Sequence, residues 1–191
     1  MKELFNDEKI VGSPKLHFVK LAVMMMIVWL MLSGRLELKF LLYGVGTALI
    51  GAYLCMSLSY VTSPRTGKKY FIFGAPVFKM LGYFFWLMWQ LILANIDVAK
   101  AIVSPEIIME PKICRFQVDM DNPAALTILA NSITLTPGTV TMNTTPDGYY
   151  EVHALTVGAA EGLLDGGMQK KVAQLFGDDE GFRVVEEVPA E

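Results

Sequence analysis

Charge is scarce in this sequence and unevenly placed. Only 18% of the 191 residues are Asp, Glu, Lys or Arg, and the formal net charge is −3. No run of Lys or Arg interleaved with aromatics occurs, which excludes a nucleic-acid-binding reading. Cysteine is sparser still: Cys55 lies in an apolar stretch and Cys114 in a polar one, with no Cys-x-x-Cys and no histidine at ligand spacing. Such residues behave as small buried hydrophobes, so neither a disulfide nor a metal site is expected. His17 and His153 are the only histidines, one at the edge of an apolar segment and one inside an alternating strand pattern. The sequence also lacks a Gly-x-Ser-x-Gly elbow and a glycine-rich phosphate loop. No catalytic residue, cofactor site or metal site is therefore assigned, and the chain is not expected to be an enzyme.

What is abundant is apolar. Hydrophobic residues make up 53% of the chain, and the mean hydropathy is +0.44. The excess lies in the first half, which predicts a membrane region over residues 16–104 between a polar N-terminal tail (1–15) and a soluble domain (105–176), with an acidic tail (177–191) last. The first apolar segment, 16–33, approaches the ~20 residues needed to cross ~30 Å of hydrocarbon. No small-x-small cleavage site follows it, so it reads as a retained helix rather than a signal peptide. Ser33-Gly34-Arg35-Leu36-Glu37 allows only a tight hairpin to the second segment, 38–61. There Gly44, Ala48 and Ala52 recur four apart, with Gly51 beside them, a spacing that lets two membrane helices approach closely.

A basic loop, Thr62 to Lys69, precedes the third apolar segment, 77–103, which is aromatic at first and polar near Asn95, Asp97 and Lys100. Asp97 and Lys100 are spaced to pair on a helix surface, the alternative being an ion path or a subunit contact. Basic residues before the first segment and after the second place both regions in the cytoplasm. Whether the third segment crosses or lies at the interface stays open, and with it the count of two or three spanning helices.

The remainder has clear strand and helix grammar. Lys112 to Asp119 alternates with Cys114, Phe116 and Val118 on one face. Asp121-Asn122-Pro123 starts a helix to Ile133. Thr136-Pro137-Gly138 is a turn, and Pro146-Asp147-Gly148 joins strands Thr139–Thr145 and Tyr149–Leu155. Leu164, Met168, Val172 and Leu175 mark a second helix, and Phe182 to Val188 either adds a strand or stays loose. The order predicts a small α+β domain of ferredoxin type, βαββα(β).

Ile133-Thr134-Leu135-Thr136-Pro137-Gly138-Thr139, followed by Tyr150-Glu151-Val152-His153-Ala154-Leu155, resembles the MrpE/MnhE family, one of the membrane components of the multisubunit Mrp-type cation/proton antiporters. Ala94-Asn95-Ile96-Asp97-Val98-Ala99 before Ser104-Pro105, and Trp29 with Ser33-Gly34, extend the likeness over most of Lys20 to Ala160. The resemblance implies a multi-pass subunit in the plasma membrane of a prokaryote, with other antiporter subunits and the lipid bilayer as partners and a cytoplasmic α+β domain. It further implies a complex that as a whole exchanges Na+ for H+, to which this chain contributes assembly. A membrane subunit of a respiratory hydrogenase-like complex and a free-standing membrane-tethered binding module are the alternatives. Gly44, Ala48, Gly51 and Ala52 are the expected packing face, and Thr134, Thr136, Pro137, Gly138 and Thr139 the expected docking turn.

Overall fold

The structure, a computed structural model, describes residues 8–104, 110–178 and 181–189. It divides into two compact units, Met1–Thr62 with Gly67–Gly74 and Ser63–Thr66 with Ala75–Glu191.

The first unit is built on a helical hairpin, α1 (Pro14–Ser33) and α2 (Leu38–Cys55), each long and apolar enough to cross a membrane. Pro14 opens α1, where its missing N–H costs nothing. Gly34 closes it at φ +60°, donating its N–H to the Leu30 carbonyl. Trp29 Nε1 donates to the Phe40 carbonyl across the turn at 3.2 Å. Gly44, Ala48 and Ala52 are the buried residues of α2. A Cβ at Gly44 would stand 2.5 Å from Trp29 Cδ1, and one at Gly51 2.8 Å from Met25 Sδ. The small-residue stripe thus lies against α1 of its own chain.

The second apolar segment, read as running to Val61, stops being helical at Cys55. A 3₁₀ turn (Ser57–Ser59) follows, in which Ser59 Oγ donates to the Cys55 carbonyl at 2.9 Å. The aromatic and β-branched run β1 (Tyr60–Thr62) then favours strand over helix and pairs antiparallel with β2 (Lys69–Phe71). His17, on α1, places Nδ1 3.0 Å from the Tyr60 hydroxyl and stacks on Phe71 at 4.5 Å. Much of the polar stretch before α1 is likewise ordered: Val11 donates to the Lys69 carbonyl, and Lys69 to that of Lys9. The tail's first seven residues lie outside the described ones.

The second unit carries α3 (Val77–Val103), β3 (Lys112–Val118), α4 (Pro123–Leu135), β4 (Thr139–Thr144), β5 (Tyr149–Ala154), α5 (Val157–Leu164), α6 (Gly167–Phe176) and β6 (Phe182–Pro189). Its sheet runs β4-β5-β3-β6, antiparallel throughout. This is the expected ferredoxin-type order with the optional last strand present. Cys114, Phe116 and Val118 face the core with Tyr150 and Val152, and α4 and α6 cover them with Leu129, Ile133 and Val172. Burial raises the Cys114 thiol pKa. Phe116 stacks on Tyr150 at 5.1 Å, and the Tyr150 hydroxyl donates to the Leu126 carbonyl at 2.6 Å.

Two expectations need correction. The helix through Leu164 and Leu175 is two helices, because Gly166 takes φ +75° between them. Thr156 starts the first of the two by accepting the Ala159 N–H. Most of the presumed acidic tail, 177–191, is β6, whose acids are cross-strand partners. Lys112 Nζ meets Glu187 at 2.7 Å, and Arg115 bridges Glu151 and Glu186 at 2.7 Å each. Those two carboxylates hold the Arg115 guanidinium pKa above its ordinary range. The proline expected to stop α3, Pro105, lies outside the described residues; the helix ends at Val103, with the Ser104 N–H on the Lys100 carbonyl.

Candidate functional site

The second unit contains a groove of about 310 Å³ formed by one side of α3, the α4–β4 turn and the α5–α6 pair. Trp86, Asp97 and Val98 come from α3, Thr136, Pro137 and Thr139 from the turn, and Gly158, Gly162 and Asp165 from the third wall. The groove joins the two regions that the sequence marks separately, the polar end of the third apolar segment and the threonine-rich turn.

The turn is held by its own hydroxyls. Thr136 Oγ1 donates to the Ser132 carbonyl at 2.9 Å, and Thr139 Oγ1 to that of Ile133 at 2.6 Å. Thr134 Oγ1 donates to the Ala130 carbonyl and accepts the Thr141 N–H. These hydroxyls add second donors at the end of α4, where the Ser132 and Ile133 carbonyls also accept the Thr136 N–H, so the threonines knit α4 to β4 and leave Pro137 with the groove-facing flanks of Thr136 and Thr139 as wall. Gly138, at φ +89°, brings the turn close to its neighbours: a Cβ there would meet Val98 Cγ2 and Ala159 Cβ at 3.5 Å.

Asn95, Asp97 and Lys100 do not converge. Asp97 borders the groove and pairs with Lys100 at 3.2 Å, both about three-quarters exposed. Asn95 Nδ2 returns to the Leu91 carbonyl of its own helix at 2.7 Å. Gly44, Ala48, Gly51 and Ala52 belong to the first unit and take no part in the groove.

Three features escaped the sequence reading. The Tyr83 hydroxyl donates to Ser132 Oγ at 2.7 Å in a buried bond between α3 and α4. Ser63 and Thr66, in the basic loop, donate to the two carboxylate oxygens of Asp121 at 2.7 and 2.6 Å. Arg65 stands 4.0 Å from Asp119 beside them. Gln169, buried between α5 and α6, donates to the Leu163 carbonyl and leaves its Oε1 unpaired. Only the polar residues themselves hinted at these contacts, since each partner lies in another element. Chemically the groove is apolar with two carboxylates, Asp97 and Asp165, among its lining residues. Among the described residues no group of three or more His, Cys, Asp or Glu is placed to hold a metal ion.

Comparison with known proteins matches this architecture. Residues 22–174 match the family described as Na+/H+ ion antiporter subunit. The E1 component of a Na+/H+ antiporter from Staphylococcus haemolyticus is 30% identical over 156 residues, 80% of this chain and 92% of that one. The E component of a Na+/H+ antiporter from Alkalihalophilus pseudofirmus is 36% identical over 89 residues, 46% of this chain and 54% of that one. Among solved structures, a chain of the membrane-bound sulfane sulfur reductase, an archaeal respiratory membrane complex, aligns with TM-score 0.57 and 27% identity. That alignment covers 74% of this chain and 84% of the other. The family match runs from within α1 to within α6, spanning the apolar helices and most of the α+β domain, and the chain belongs to the Na+/H+ ion antiporter subunit family.

Proposed function

We propose that the chain is an assembly-supporting subunit, without a catalytic site of its own, of a multisubunit Na+/H+ antiporter in the plasma membrane of a prokaryote. Its partners are the other membrane subunits and lipid, and its α+β domain is cytoplasmic. One observation carries this reading: the family match covers a chain whose hairpin helices hold no ionisable side chain from Leu21 to Leu32 or, tyrosine and cysteine aside, from Phe40 to Cys55. An ion path through hydrocarbon needs such groups at depth, so translocation falls to other subunits. Within α1 and α2 the small-residue stripe is already occupied, which leaves the large outward residues, Val23 and Ile27 on α1 and Leu42 and Leu49 on α2, as the contact surface. The groove beside Asp97 and Pro137 is the docking site for an apolar segment of a neighbouring subunit.

Mild-detergent purification of the tagged chain tests the subunit role; large polytopic partners are expected, and their absence refutes it. Gly158→Leu and Gly162→Leu test the groove, since a Cβ at either glycine meets nothing within 4 Å. Both should lower recovery of the complex and Na+-dependent ΔpH in everted vesicles, and unchanged recovery removes the docking role. Asp147→Cys, at the exposed β4–β5 turn, should react with an impermeant maleimide in inverted vesicles and not in right-side-out ones. The likeness to a chain of a respiratory complex favours one second reading, membership in a redox assembly; co-purifying redox subunits in place of antiporter subunits identify it.

A further inference from the structure

By length and composition α3 is able to span a membrane, yet one side of it packs against the α+β domain. We propose that α3 does not cross the bilayer but rests in the lipid interface, its outer face on the acyl-headgroup boundary and its inner face under the α+β domain.

The inner face decides the geometry. Met80, Tyr83, Trp86 and Leu87 pack into the core of the domain, and Tyr83 hydrogen-bonds Ser132. Further along, Asp97 and Val98 border the groove opposite Pro137. From Met80 to Val98 the helix advances roughly 27 Å at ~1.5 Å per residue, against a hydrocarbon thickness of ~30 Å. A crossing orientation therefore draws the domain into hydrocarbon along nearly the full depth. That domain exposes backbone at sheet edges and turns, which lipid does not accept. It also holds the segment that leads into α3, through the Asp121 bonds to Ser63 and Thr66. The approach to α3 and the body that covers it thus share one side of the membrane.

The outer face fits the interface. Phe78, Leu81, Phe85, Trp89, Ile92 and Ile96 follow one another at intervals of three or four residues, the spacing of a single helical stripe. All six are 46–89% exposed. Aromatic side chains concentrate at the interface, and Lys79 and Lys100, near the two ends of the helix, have stems long enough to place their charges among headgroups. In the same chain α1 and α2 are each long and apolar enough to span, which tethers α3 to the membrane.

Spin labels test this on the full-length chain in phosphatidylethanolamine and phosphatidylglycerol vesicles, placed by Phe78→Cys, Phe85→Cys, Ile92→Cys and Ile96→Cys in a Cys55→Ser, Cys114→Ala background. Oxygen and nickel-chelate accessibilities report depth. An interfacial helix gives four depths within about 5–10 Å of the headgroup level, whereas a crossing helix separates Phe78 from Ile96 by roughly 27 Å through the bilayer centre. The second result overturns the proposal, as does burial of all four labels from both reagents in the assembled complex, which shows a protein neighbour instead of lipid. An independent measurement keeps the native cysteines: in a Trp29→Phe, Trp86→Phe chain, lipids brominated near the headgroup should quench Trp89 several-fold more than lipids brominated near the chain end. Equal or inverted quenching overturns the proposal without touching the subunit role.

Discussion

Removing the Tyr83 hydroxyl isolates the bond that fastens α3 to the domain. Tyr83 is 9% and Ser132 3% exposed, so neither hydroxyl has water as a ready substitute partner. A paired hydrogen bond contributes about 0.5–1.5 kcal/mol net, and a buried partner left unpaired costs about 1–3 kcal/mol. Tyr83→Phe and Ser132→Ala should therefore each destabilise the domain by about 1–2 kcal/mol, a five- to thirty-fold shift in the folded-to-unfolded ratio. The double variant leaves no orphaned group, so its cost should fall short of the sum by about 1 kcal/mol. Trp86, whose ring lies 5.8 Å from that of Tyr83, reports the opening by fluorescence during urea unfolding in detergent micelles. Additivity to within about 0.3 kcal/mol would show that the two hydroxyls do not interact and refute the account of how α3 is held.

Three further outcomes follow from other parts of the molecule. Gly44→Val forces a side chain into the Trp29 ring and should destabilise the α1–α2 hairpin by about 1–3 kcal/mol, whereas Gly46→Ala, which meets nothing within 4 Å, should not; equal thermal midpoints for the two sink the packing claim. Asp121→Ala deletes the acceptor of both loop hydroxyls, and at about 1.5–3 kcal/mol for hydrogen bonds to a charged group, discounted for the exposure of Thr66, trypsin should cut at Arg65 and Lys68 roughly tenfold faster; an unchanged rate shows that the loop is held by something else. Burial pushes Tyr60 from 10.0 up to about 12. Because the folded form holds its proton more tightly, its stabilisation is complete below pH 10 and is lost as pH rises through 12, and a difference absorbance titration against Tyr60→Phe showing a midpoint near 10 contradicts this.

Period and turn chemistry made most of the α+β domain legible. The alternation through Cys114, Phe116 and Val118 located β3, Asn122-Pro123 located the start of α4, and Asp147-Gly148 the hairpin. Asn122 caps as its type suggests, accepting the Ala124 N–H at 3.0 Å. What failed was contextual. Leu164 keeps helical spacing with Met168 while belonging to a different helix, because hydrophobic period does not register the left-handed glycine between them. For Phe182 to Val188 the sequence leaves strand and loose tail both open, since nothing local announces that Lys112 and Arg115 stand opposite its acids. Apolar composition carried the second segment on to Val61, although the serines after Cys55 favour a turn. In the groove, Asp97 and Pro137 were both singled out, but their meeting depends on α3 folding against a domain that begins after it.

The position of β6 sets an order of events during synthesis. It pairs along the whole of β3, yet it is made about ninety residues after Val98, a delay of order ten seconds at bacterial elongation rates. Until β6 is made the sheet lacks its edge strand, and the side of β3 that β6 covers has no partner in the sheet. With α3 in the lipid interface as proposed, the bilayer holds the half-made domain while it waits for its last strand.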